Sequence, residues 1–542
     1  MAYTFDALGV VTSANDPASH LAFDFDGLNR LTRATQSGVT NLADFTLTYT
    51  YDGTDNVMFV TDNWGVQVAS AYDAQNRLTQ RVWQGGGVPG ASLHFYYNAA
   101  GNRTNIMRYA DAAGTQIVGQ SHYVFNTLGA ITDIFHANGA GVPLAEYHYQ
   151  RNAAQEITQR VLGSQTADYR YDLTGQLTNA LHSDDQPNEG YHYDANGNRI
   201  GSGYVVANNN QIVADGTNTY SYDLEGSLVQ RSNTATHFTT TYAYDHRNRL
   251  VSTVDKDAGG TMVQTVELTY DAFDRRIAKS VNSSAVRFLL NQISTWADAD
   301  GAGNITARYL PGQQIDELVA RYHTGESISW YLTDNLGSVG HVVASNGLVI
   351  NHITYDSFGR VLSQSAPELG DRFSFTGREW DEETGLFFYR ARYYSPALGR
   401  FTSQDPIGFL GSDWNLYRYA ANNPILKVDP SGRSFSEYVQ SLRISVSTYV
   451  SSLEVVQLRI LACGLGLASE YYLGWLTQKV RDSLPESLKP SATVYASVDA
   501  ANCIFLGITF SFFGGWGGRI AAIPLITAGI ILGWDEIMYH FR

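Results

Sequence analysis

A short unit recurs along this chain and limits what it can fold into. It reads aromatic, Asp, two variable residues, then Gly or a substitute, as in Tyr171-Asp172-Leu173-Thr174-Gly175, Tyr193-Asp194-Ala195-Asn196-Gly197 and Tyr222-Asp223-Leu224-Glu225-Gly226. Asn replaces the Gly in the units that begin at Phe25, Tyr72 and Tyr244, giving Asn29, Asn76 and Asn248. Thirteen copies are found when degenerate ones are included, most of them roughly 20–29 residues apart. The last position is Gly seven times, Asn three times, Asp twice (Asp55, Asp274) and Ala once (Ala153). Gly, Asn and Asp are the residues that tolerate a left-handed backbone. Asp at the first position of a type I turn accepts backbone N–H bonds. The unit is therefore a hairpin turn, and its identity is conformational rather than catalytic.

The flanks support strands. The stretch Phe238 to Tyr244 alternates, with the rings of Phe238, Tyr242 and Tyr244 on one face at period two. Thirty-five tyrosines and 50 glycines against 13 prolines fit many short strands with Gly-dependent turns. No long helical pattern precedes about residue 434. The net charge of −16 and the lack of a basic stripe argue against nucleic-acid binding by this region. The two cysteines, Cys463 and Cys503, both lie near the C-terminus, so no disulfide framework holds the repeats.

The unit resembles the YD repeat of RHS proteins, teneurins and insecticidal toxin-complex C proteins. An ordered string strengthens the resemblance. It runs from Tyr331 through Asp334-Asn335-Leu336-Gly337 and Tyr355-Asp356 to Phe375-Thr376-Gly377-Arg378-Glu379, Tyr389-Arg390-Ala391-Arg392-Tyr393-Tyr394 and Gly399-Arg400-Phe401. It closes with Asp405-Pro406-Ile407-Gly408, Asn422-Asn423-Pro424 and Asp429-Pro430-Ser431-Gly432. This string is similar to the RHS repeat-associated core domain. The resemblance implies a mainly β fold, a spiral of hairpins forming a hollow or partly open shell. It divides the chain into repeats over 1–330, a core over 331–432 and a variable segment over 433–542. The chain opens inside a repeat, which suggests N-terminal truncation.

The two Asp-Pro-x-Gly units, 24 residues apart, read by themselves as turns. They also fit an aspartyl-protease pair, in which two close carboxylates share a proton, one activating water and the other polarising the scissile carbonyl. The resemblance implies that Asp405 and Asp429 do this with Arg392, Arg400 being the spare candidate for the arginine. Cleavage is then expected between Arg433 and Ser434. The family pattern has Leu where this chain has Arg433, so an apolar pocket would meet a charge, and slow, shifted or lost cleavage is expected.

Other chemistry is not signalled. The 13 histidines form no metal-binding pattern, so neither a metal nor another cofactor is expected. One carboxylate per turn is too few for Ca²⁺. Gly85-Gly86-Gly87 lacks the Lys-Ser/Thr of a phosphate loop, and no Gly-x-Ser-x-Gly elbow occurs.

Composition changes after Gly432. Residues 434–542 hold 7 Lys/Arg and 8 Asp/Glu, and their patterning reads as helical over Ser434–Leu453 and about Val455–Val480. Ala500–Gly518 and Ile520–Trp534 carry no charge. They read either as a membrane-inserting hairpin with Trp516 and Trp534 at the interfaces, or as buried helices of a small globular effector. Gly514-Gly515, Gly517-Gly518 and Pro524 weaken the first alternative. No signal peptide is visible, so export or cell-surface display by a non-Sec route is expected. Two functions stay open. One is a toxin-type shell with its own C-terminal segment as cargo and an immunity protein as partner. The other is a structural or cell-surface interaction protein.

Overall fold

The computed structural model describes residues 1–433 apart from 202 and 412, together with the strands Ser436–Glu437, Ala492–Val498 and Ile504–Phe510. The chain divides into two compact units, Met1–Thr4 with Thr12–Leu442, and Phe5–Val11 with Arg443–Arg542. It is mainly β. Among the described residues the helical elements are five short 3₁₀ turns.

The repeated unit is a hairpin with a bulge. At Asp172 the backbone N–H of Gly175 donates to the Asp172 carbonyl at 3.1 Å, and the Asp172 side chain accepts N–H bonds from Thr174 at 2.8 Å and Gln176 at 3.0 Å. The residue at the Gly position is left-handed, with φ of 78° at Gly175, 65° at Asn29, 67° at Asp55 and 63° at Asp274. The pairing register then shifts at the aromatic residue, between Arg170 and Tyr171 here and between Thr50 and Tyr51 in an earlier repeat. A type I turn followed by one left-handed residue produces this bulge. One assignment needs correction. In the copy at Tyr149 the turn starts at Asn152, and the left-handed residue is Gln155 (φ 64°), not Ala153.

Because each turn returns the chain beside the strand it left, the result is a meander. Seventeen strands between Ala2 and Gly190 form one sheet, and sixteen between Tyr204 and Gln364 form a second. Within each, sequence neighbours pair antiparallel, as in Phe45–Tyr51 with Val57–Asp62 and Thr239–Tyr244 with Leu250–Lys256. The predicted strand 238–244 thus begins one residue late, after Phe238. Alternate residues point inward: Phe45, Leu47 and Tyr49 are buried while Thr48 and Thr50 are not.

The tyrosine of the unit has a specific partner. Its hydroxyl donates to a backbone carbonyl of the preceding repeat: Tyr51 to Leu31 at 2.7 Å, Tyr97 to Leu78 at 2.7 Å, Tyr171 to Ile157 at 2.7 Å and Tyr270 to Leu250 at 2.7 Å. The ring fills the core and the hydroxyl satisfies a main-chain acceptor there. In the repeats that begin at Phe25, Tyr72 and Tyr244 the arginine after the turn pairs with its own Asp and lies over the next tyrosine. Arg30 is 2.7 Å from Asp26 and 4.7 Å from the Tyr51 ring centroid; Arg249 repeats this with Asp245 and Tyr270.

Buried ion pairs join the two large sheets. Asp62 caps its own turn and also accepts from Trp296 at 2.9 Å and Arg308 at 2.5 Å. A four-stranded sheet follows, formed by Glu379–Asp381, Leu386–Tyr389, Arg392–Ser395 and Arg400–Phe401. It is anchored to the second sheet by Arg276, which pairs with Asp381 and, at 2.7 Å, with Glu379. Although burial pushes the Glu379 carboxyl up, Arg276, Arg372 and Arg378 draw it down to about 2.

The helical reading of 433–542 is not met where that segment is described. Ala492–Val498 pairs antiparallel with Ile504–Phe510, so part of the uncharged stretch 500–518 is a strand. Its β-branched and aromatic residues favour this. Among the described residues no helix is long and apolar enough to cross a membrane. Within the expected helix Ser434–Leu453, Ser436–Glu437 is instead a strand paired with Lys427–Val428; the rest of that helix, and those at Val455–Val480 and Ile520–Trp534, lie outside the described residues.

Candidate active site

The site is assembled at the end of the first unit from three pieces of chain. The strand Arg392–Ser395 supplies Arg392, the turn after Phe401 supplies Asp405, and a hairpin supplies Asp429. That hairpin pairs Lys427 with Glu437 and Val428 with Ser436, and its loop begins with Asp429 to Arg433. Asp429 opens the loop and Arg433 lies within it. Ser434 lies outside the described residues.

Arg392 joins the two carboxylates. Its Nη2 is 2.8 Å from Asp405 Oδ2 and 3.3 Å from Asp429 Oδ2. The other guanidinium nitrogens are also occupied, Nη1 donating to the Leu416 carbonyl at 2.8 Å and Nε to the Gly432 carbonyl at 2.5 Å. The guanidinium carbon sits 3.6 Å from the Phe401 ring centroid. All three residues of the cluster are buried or nearly so. Arg400, the alternative arginine, does not face the carboxylates. It donates to Asn198 and Asn415 and lies over Tyr417.

The two acids have different surroundings. Asp429 is ringed by donors: Ser431 Oγ at 3.1 Å and the Arg433 N–H at 3.1 Å reach Oδ1, while Arg392 reaches Oδ2. Asp405 accepts one N–H, from Ile407 at 3.0 Å, besides its pairing with Arg392. Burial pushes the Asp405 carboxyl up to about 7 against the pull of Arg392 and the Ile407 N–H. The Asp429 charge adds to the rise and the Arg433 charge opposes it.

The loop is held on both sides. Gly432 has φ 67°, and a Cβ there would lie 2.3 Å from the Tyr389 carbonyl oxygen, so the left-handed conformation and the close approach both require glycine. Arg390 donates to the Pro430 carbonyl and pairs with Asp316, which also holds Arg378 at 2.6 Å. The Arg433 carbonyl oxygen and Asp405 Oδ2 both lie against Gly411. The carboxylates line a cleft of about 10 Å³, enough for about one water molecule. Asp413, Arg418 and Arg433 line it too, so its walls are charged rather than the apolar surroundings expected for the residue at 433. Sequence reasoning singles out neither Gly411, which presents a bare Cα to the site, nor Leu416, which acts through its carbonyl. Among the described residues no group of His, Cys, Asp or Glu is arranged to hold a metal ion.

The chain is 24 % identical to the toxin subunit YenC1 of Yersinia entomophaga over 67 % of its own length and 39 % of that protein's. It is 27 % identical to the toxin protein Tse5 of Pseudomonas aeruginosa over 58 % and 27 % of the two lengths. It is 28 % identical to the tRNA nuclease WapA of Bacillus subtilis over 48 % and 12 %. The chain therefore spans well under two thirds of each of these relatives. The solved TcdB2–TccC3 structure without its hypervariable C-terminal region aligns with a TM-score of 0.48 at 17 % identity, over 78 % of this chain and 24 % of that one. The family model of the teneurin YD-shell matches residues 145–425, more than half the chain and most of the repeats and core described above. This chain belongs to the teneurin YD-shell family.

Proposed function

We propose that this chain is the repeat and core portion of an RHS-type toxin protein, and that its core cuts the chain between Arg433 and Ser434. In this reading residues 1–330 form a hollow or partly open shell, 331–432 the core and 433–542 the cargo. The toxin names of YenC1, Tse5 and WapA support the assignment. The observation that carries the cutting reaction is Arg392 bridging Asp405 and Asp429, with the Arg433 N–H bonded to Asp429 and the Arg433 carbonyl and Asp405 Oδ2 both lying against Gly411.

The geometry supports distinct roles. Asp405, pushed up by burial, holds the proton and donates toward the Arg433 carbonyl oxygen. Asp429, surrounded by donors, is the ionised carboxylate that takes a proton from water. The water oxygen bonds to the Arg433 carbonyl carbon. Collapse then breaks the bond to the Ser434 nitrogen, which leaves with a proton. The products are a carboxyl at Arg433 and an amine at Ser434. Arg392 holds both acids in register and pins the Gly432 carbonyl. The positive charge of Arg433 favours ionised Asp405, so a cation at this position is compatible with the charged cleft.

The test is direct. Purified full chain should resolve by denaturing electrophoresis and mass spectrometry into residues 1–433 and 434–542. Asp405→Asn and Asp429→Asn should each remain intact. A wild-type chain that stays whole sinks the cutting reaction. Expression of 434–542 in bacteria should arrest growth if that segment is cargo. Harmless expression would favour a structural or cell-surface protein instead.

A further inference from the structure

Gly408 and Gly411, the two ends of a short turn, line the cleft, and Gly411 lies against both partners of the proposed reaction. A Cβ built on Gly411 would lie 2.8 Å from the Arg433 carbonyl oxygen and 3.1 Å from Asp405 Oδ2. It would meet these two atoms before any other. The gap between the scissile carbonyl and the acid is thus bounded on this side by a bare Cα. The Arg433 segment has little room to retreat. Its N–H is bonded to Asp429 and to Ser431 Oγ, Arg392 holds the Gly432 carbonyl, and Gly432 is packed against Tyr389.

We infer that Gly411 is a positioning residue for self-cleavage: its missing side chain lets the Arg433 carbonyl sit beside Asp405 in the geometry the reaction needs. This rests on the reading of the core as a self-cutting site. A methyl group there pushes the carbonyl off its line to Asp405, and a shift of about 1 Å can slow a positioned reaction on the order of 100-fold. Phe409 provides the control: it belongs to the same turn but is exposed, packs against Trp414 and does not line the cleft.

The experiment compares the self-cleavage rates and pH profiles of wild type, Gly411→Ala and Phe409→Ala in the full chain, with thermal melting of each. Gly411→Ala should melt like wild type and cut about 100-fold more slowly. The pH at which its residual cutting falls away should move upward, because a methyl against Oδ2 excludes water from the carboxyl. Phe409→Ala should melt and cut like wild type, because its exposed ring lies outside the cleft. Wild type that never cuts overturns the active-site reading and this inference with it. Wild type that cuts while Gly411→Ala cuts equally fast overturns the inference alone. Equal slowing by both alanines, or slowing with an unmoved pH profile, assigns the effect to the turn and also overturns it.

Discussion

The sharpest consequence of the site is its response to pH. Asp405 is the proposed proton donor, and burial lifts its carboxyl from 3.8 to about 7. Placing a charge there is disfavoured by roughly 4 kcal/mol relative to an ordinary aspartate, at about 1.36 kcal/mol per pH unit. Cutting should be at its plateau where Asp405 is protonated and should fall tenfold per pH unit above about 7. At pH 9 the rate should be about 100-fold below the plateau. Replacing Arg433 with Gln removes a charge that favours ionised Asp405, so the midpoint should move upward. The assay uses freshly translated, labelled full chain diluted into buffers from pH 5 to 9 and quenched in detergent at intervals. A rate that is flat across this range, or that rises through pH 7, would refute the assignment of Asp405 as the acid. A downward shift in Arg433→Gln would refute the electrostatic account of the cleft.

The remaining predictions concern the scaffold. Tyr51→Phe and Tyr171→Phe should each cost about 1 kcal/mol, measured by denaturant unfolding, because each strips a hydroxyl from a main-chain acceptor. The two sites share no partner, so their effects should add to within about 0.5 kcal/mol. Asp62→Ala should cost about 3–5 kcal/mol, since it strands the buried Arg308 cation and the Trp296 N–H; a melting temperature within a degree of wild type would contradict this. Acid should weaken the fold between about pH 6.5 and 4. Burial and the Arg108 charge lower His136 to about 3, and burial with His352 lowers His341 to about 4. The unfolded chain then takes up protons that the folded one refuses, and stability is lost as pH falls from the unfolded value near 6.5. A replacement of His136 by Gln should flatten the melting profile over that interval, and an unchanged slope would exclude His136 as a contributor.

Turn chemistry was legible because it is local. Asp accepts from N–H groups two and four residues ahead, and the left-handed residue three ahead is visible as Gly, Asn or Asp. The exception at Ala153 shows the limit. There Asn152 replaces Asp and Gln155 takes the left-handed role, so the consensus frame points two residues too early. Arg392, Asp405 and Asp429 were readable as an ordered string of motifs, and the structure brings them together. Gly411 and Leu416 were not readable, because main-chain contacts made by a loop leave no distinctive side chain. The acceptors of the tyrosine hydroxyls were hidden for the same reason. In the C-terminal segment, an uncharged run suits a buried strand as well as a helix. The described residues Ile504–Phe510 form a strand, a distinction that hydrophobicity alone does not draw.

The tyrosine-to-carbonyl link also bears on how such a chain can change over generations. A carbonyl is present in every residue, so the receiving repeat needs no matching side chain at that point. Each repeat recognises its neighbour through a group that mutation cannot remove. Whole units can therefore be duplicated, lost or exchanged without retuning this contact, while the Asp-started turn restores the register at each junction. Positions outside the link are free of this constraint, in keeping with a repeat that keeps Tyr-Asp while most of its other positions differ between copies in this chain.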